Sequence, residues 1–78
     1  MADRPDERGL EVPNLREWRK RAAVTQAELA ERSGVSRATI SSAEGGARIW
    51  PSHVRALADA LGTTPADLQE RPPDGKAG

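Results

Sequence analysis

Ser36, Arg37, Ala38, Thr39 and Ser42 fall within a single stretch of the chain that contains no acidic residue. Chemistry of a recognisable kind is open to them. The Arg37 guanidinium is a rigid fork that pairs two at a time with the O6 and N7 acceptors of guanine, the Ala38 methyl can pack on a thymine methyl, and the Ser42 hydroxyl donates to or accepts from any base. Each has a plainer alternative. Ala38 equally suits a helix by propensity alone, and Gln26, whose amide could reach a phosphate, is equally at home as a solvated surface group.

Two short helices must position these residues. Thr25 is followed three residues on by Glu28, a capping box in which hydroxyl and carboxylate each satisfy a backbone N–H, so the spacing predicts a helix starting at Thr25. Ala27, Leu29 and Ala30 give it an inward side. Gly34 supplies the positive φ that ends such a helix, Val35 drops back onto it, and Ser36 caps a second helix whose inward stripe is Ile40 and Ala43. Gln26 then sits at a helix N-terminus, where an anion is favoured. The layout is a helix-turn-helix. A plain αα-hairpin in a small helical domain, kept soluble by its polar face, is the alternative from these two helices alone.

The flanking segments extend the pattern. LREWRKRA before the motif, TQAELA and GVSRATIS within it, then EGGAR and VRALADALGTTPADL after it, make the span from Asn14 to Leu68 similar to the Cro/C1-type, or XRE, family of bacterial and phage DNA-binding proteins. That resemblance implies an all-α fold, a compact bundle of five short helices of the lambda-repressor-like kind. It also implies sequence-specific binding to double-stranded DNA. Carried over by position, Gln26 lies where relatives meet phosphate and brace the recognition helix, with Thr25 beside it among the DNA-binding residues. Arg37, Ala38 and Ser42 occupy base-reading places, Ser36 and Thr39 phosphate-facing ones, and Arg48 a loop that approaches the backbone or minor groove. Arg19 matches a partly buried arginine that pairs with the glutamate ending the recognition helix, here Glu44, and sets the angle of that helix.

The chain departs from the family at three places. Ala43 stands where many relatives carry a large apolar side chain, and Gly45 and Ala47 replace polar or basic residues, which predicts fewer phosphate contacts. Trp50 is expected to fill the space that Ala43 leaves, the alternative being an anchor for a partner.

Net charge is zero over 78 residues, but its distribution is uneven. Residues 14–56 carry eight basic against four acidic side chains, whereas residues 1–13 and 57–78 are each acidic by two. An excess of this size neutralises several phosphates and predicts affinity that falls steeply with salt. Tails over 1–13 and 69–78, charged and rich in proline and glycine, are expected to be flexible, leaving 14–68 as the domain.

Around the motif, Pro13, an Asn14 cap and Glu17 predict a first helix over 14–22, with Leu15, Trp18 and Ala22 on one face. A fourth helix is expected from Pro51 or Ser52, burying Val54, Leu57, Ala58 and Leu61 and ending at Gly62. Thr64 and Pro65 start a short fifth helix that ends near Leu68. No run alternates as a strand would.

Enzymatic chemistry finds no constellation. His53 is the single histidine, no cysteine exists, and the acids are scattered, so no catalytic residue, metal site or cofactor is expected. Disulfides are excluded. No apolar run approaches membrane length and no leader is legible, so a cytoplasmic, nucleoid-associated location is expected. The reading is a transcription regulator, a repressor by operator occupancy or an antitoxin repressing its own operon, with no effector module after the last helix. A small core and weak single contacts both favour a homodimer on a palindromic operator. The competing reading is a protein-interaction module on the same scaffold, using Trp50 and the fourth helix.

Overall fold

A computed structural model describes residues 9–70, which form five helices in chain order: α1 Leu15–Arg21, α2 Gln26–Ser33, α3 Arg37–Glu44, α4 Pro51–Leu61 and α5 Pro65–Gln69. Among the described residues the extended structure is a single antiparallel bridge between Leu10 and Ile49. The fold is all-α.

Local chemistry sets most of the boundaries. At α2 the Thr25 hydroxyl accepts from Glu28 N–H at 3.0 Å while Thr25 N–H donates to Glu28 Oε1 at 2.8 Å, closing the capping box. Ser36 accepts from Thr39 N–H at 3.1 Å to begin α3, and Thr64 accepts from Asp67 N–H at 3.2 Å to begin α5. Each such cap is worth about 1 kcal/mol. Gly34 ends α2 at φ 80° and Gly62 ends α4 at φ 72°, both in the left-handed region.

Those helices bury one continuous core. Leu15 from α1, Leu29 from α2, Ile40 and Ala43 from α3, Val54, Leu57 and Ala58 from α4, and Leu68 from α5 are all inaccessible, with Val35 from the turn between α2 and α3. Burial of each leucine or isoleucine contributes about 1.5–3 kcal/mol. α2 packs against both α3 and α4, while α5 closes on α4 and α1. The stripe leaves the opposite face of α3 outside.

Several expectations are corrected by tertiary contacts. Asn14 precedes α1 but its side chain caps nothing there; its Nδ2 donates across the domain to Asp67 O at 3.1 Å, beside Asn14 N–H donating to Leu68 O at 3.0 Å. Ala22 and Ala27, placed on inward faces, are exposed, and Leu61 is only half-buried. Ala22 loses its inward place because the chain turns immediately after it, with Ala23 at φ 59°.

Within the stretch read as an N-terminal tail, Val12 is buried in the core and Leu10 pairs with Ile49 through hydrogen bonds of 2.9 and 3.0 Å. Residues 1–8 and 71–78 lie outside the described residues. Trp50 does not fill the space beside Ala43. Ile49, held by its bridge to Leu10, turns into the core instead, and Trp50 stands half-buried on the other side of the loop.

Candidate nucleic-acid interface

The outward face of α3 follows from its register. With Ile40 and Ala43 fixed in the core, a helical period puts Arg37, Ala38 and Ser42 outside, and all three are exposed, as is the cap Ser36. Thr39 is half-buried, its hydroxyl accepting from Ser36 Oγ at 2.9 Å. Arg37 opens the helix and makes no ion pair among the described residues.

Behind this face lies a three-residue network that joins three helices. Arg19 in α1 donates through Nε to Glu44 Oε2 at 2.5 Å and through Nη2 to Oε1 at 3.1 Å, a two-toothed pairing. Its Nη1 donates to Val24 O at 3.0 Å, and Gln26 Nε2 donates to Glu44 Oε1 at 3.0 Å. The side chains are 15% and 7% exposed at Arg19 and Glu44, so solvent screens the pair little.

The titration of both groups reflects that setting. Burial pushes the Glu44 carboxyl up, but hydrogen bonds from Arg19 and Gln26 and the charges of Arg19 and Arg16 outweigh it and hold the group below the usual carboxylate value. The hydrogen bond to Glu44 raises Arg19 against the opposing cost of burial. Both remain charged at neutral pH.

Thr25 and Gln26 stand at the N-terminus of α2, the hydroxyl engaged in its cap and the amide in Glu44. Gln26 thus holds α3 while half-buried beside it. Arg48, in the connection from α3 to α4, is exposed and pairs with Glu11 at 3.8 Å. No pattern in the sequence marks that partner, because Glu11 lies in a stretch without periodicity.

A concavity beside α3 has no signature in the sequence either. Ala38, Thr39 and Ser42 form one wall, and Arg48, Ile49, Trp50 and His53 form the other, around an open volume of about 370 Å³. None of the lining residues is acidic. His53 lies in the first turn of α4 and Trp50 immediately precedes that helix, whose start has neither a side-chain cap nor an acidic residue.

Among the described residues no group of three or more histidine, cysteine, aspartate or glutamate side chains could hold a metal ion, and no helix is long and apolar enough to cross a membrane. What the surface offers is a polar helix face, a brace behind it and a cation-edged cleft beside it. Residues 14–70 match the profile of a family described as a helix-turn-helix domain. No curated protein and no solved structure matches the chain.

Proposed function

The chain belongs to the helix-turn-helix domain family, and from that premise we propose that it binds double-stranded DNA in a sequence-specific way and regulates transcription as a Cro/C1-type repressor that occupies its operator. One observation carries this reading. The segment Ser36 to Ser42 is buried on the Ile40 side and exposed, acid-free and arginine-tipped on the other, the arrangement of a recognition helix whose N-terminal side chains meet base edges in the major groove.

Roles follow from chemistry and placement. Arg37 reads a guanine, a contact worth about 1–3 kcal/mol of discrimination, while Ala38 and Ser42 contribute weaker preferences. Ser36, Thr39, Thr25, Gln26 and Arg48 contact the phosphate backbone and fix the register. Two protomers on half-sites about 34 Å apart would multiply these few contacts, so the operator is palindromic and the working form a homodimer. An antitoxin that represses its own operon uses the same surface, and a cytoplasmic, nucleoid-associated location accords with it.

Selection of bound duplexes from a randomised pool, at two salt concentrations, tests the proposal. The wild type enriches a palindromic site. Arg37→Ala relaxes preference at one position, and Gln26→Ala weakens binding evenly across sequences. Failure of the folded chain to enrich any duplex, even in dilute salt, removes the reading in favour of a protein-interaction module.

A further inference from the structure

The surface that α3 turns outward is made of small residues. Ala38, Ser41, Ser42 and Gly45 are all exposed there, and Glu44, the other charged residue of α3, is drawn behind them by Arg19 and Gln26, so Arg37 is the one long side chain on that face. Arg37 and Ala38 are consecutive in the first turn, both exposed, and Arg37 makes no ion pair among the described residues. A planar cationic fork stands beside a bare methyl.

Those two groups match one feature of the major groove. The fork pairs with guanine O6 and N7, and the methyl packs on an apolar group in the same groove, which a pyrimidine offers only at C5. Thymine and 5-methylcytosine carry a methyl there; cytosine and uracil do not. We infer that α3 recognises a two-base step in which the guanine taken by Arg37 adjoins a pyrimidine bearing a C5 methyl, with Ala38 packed on that methyl. The inference rests on the DNA-binding reading and narrows it to a chemical class of duplex.

The small neighbours permit the contact. An alanine reaches no further than its Cβ, and Ser41, Ser42 and Gly45 have too little bulk to hold the helix off the groove floor. Thymine and 5-methylcytosine differ at position 4, a carbonyl acceptor in one and an amino donor in the other. Ser42, one turn on from Ala38, answers either with its hydroxyl.

The test uses the full chain and a fluorescein-labelled duplex recovered by selection with the wild type. Each thymine in turn is replaced by deoxyuridine, which deletes one methyl and keeps the base pair, and in a second series the pyrimidine beside the guanine is made cytosine or 5-methylcytosine. Beside the guanine whose preference Arg37→Ala relaxes, binding should be roughly fourfold tighter with the methyl than without it, as one buried methyl contributes. In Ala38→Gly that ratio should fall to near one. Circular dichroism verifies folding, and if Ala38→Gly does not fold, the wild-type series decides.

Methyl dependence in the cytosine series means that methylation of the operator tunes affinity, and dependence in the deoxyuridine series alone makes thymine the natural base; either result supports the contact. Wild-type binding without methyl dependence at any pyrimidine overturns the inference but leaves the DNA-binding reading standing. A dependence that survives in Ala38→Gly assigns the methyl to another residue and also overturns it. Absence of any wild-type duplex binding removes both.

Discussion

Gln26 Nε2 donates to Glu44 Oε1 at 3.0 Å, so the first residue of α2 is fastened to the last residue of α3. Arg19 grips the same carboxylate from α1. One glutamate therefore fixes the end of α3 relative to two other helices, and the exposed face of α3 inherits that orientation. Because charge burial offsets much of the attraction, such a network constrains geometry more than it raises stability.

Glu44→Ala is expected to destabilise the chain by about 3 kcal/mol, because Arg19 is left nearly buried without its counter-charge. Arg19→Met with Glu44→Leu, which removes both charges and keeps volume, should fold within about 1 kcal/mol of wild type. If the network orients α3, this double variant still loses DNA affinity. Urea denaturation and fluorescence anisotropy on the same samples separate the two effects, and unchanged affinity in the double variant would show that Glu44 serves the fold alone.

Acid should weaken the fold through the same carboxylate. Glu44 is held below its ordinary value in the folded chain, so its contribution is complete above the unfolded carboxylate value of about 4.3 and is lost as pH falls through the lower folded value. Asp67 is also lowered, chiefly by the Thr63 hydroxyl that donates to its Oδ2, and adds in the same direction. Thermal melts between pH 7 and pH 3 should fall for the wild type and less for Glu44→Gln, whose baseline stability is already reduced. Parallel curves would refute the assignment.

Two left-handed positions should respond in opposite ways. Ala23 holds φ 59° with a Cβ, and Gly34 holds φ 80° without one and with nothing within 4 Å of where a Cβ would stand. Ala23→Gly relieves a strain of about 1 kcal/mol, offset in part by greater unfolded-state freedom, so its melting temperature should stay level or rise. Gly34→Ala should lower stability by about 1 kcal/mol with no clash involved. A fall for Ala23→Gly as large as that for Gly34→Ala would contradict the strain argument.

Glu11 and Arg48 are both about half exposed and 3.8 Å apart, so Glu11→Gln should change stability by no more than about 0.5 kcal/mol. DNA affinity should nonetheless rise roughly two- to fivefold in dilute salt, since a carboxylate that competes with phosphate for Arg48 is gone, and the gain should fade as salt is added. An equal affinity at low salt would mean that Glu11 does not compete with the duplex for Arg48.

Elements governed by neighbours in sequence were readable in advance. The caps at Thr25, Ser36 and Thr64, the turns at Gly34 and Gly62, and the inward stripe of Leu29, Ile40, Ala43, Val54 and Leu57 each depend on residues within one or two helical turns. Residues that act across the domain were not. Asn14 has the composition of a cap, yet its amide is taken by Asp67 O, 53 positions away. Val12 and Leu10 lie among acids and a proline, without a period to mark them, and are drawn in by Ile49.

The interface divided along the same line. The register of α3 set which of its residues face outward, whereas the cleft wall at Trp50 and His53 depends on how a loop returns to α4. With Ile49 paired to Leu10, the neighbouring Trp50 is left on the outer side.

The two hydrogen bonds from Asn14 to Leu68 and Asp67 have a dynamic consequence. Both extremities of the helical bundle are stitched together, so neither α1 nor α5 can peel away by itself, as terminal helices commonly do. Amide exchange near residues 15 and 68 would then proceed at the rate of whole-molecule opening, and this small domain would melt as one unit instead of fraying inward.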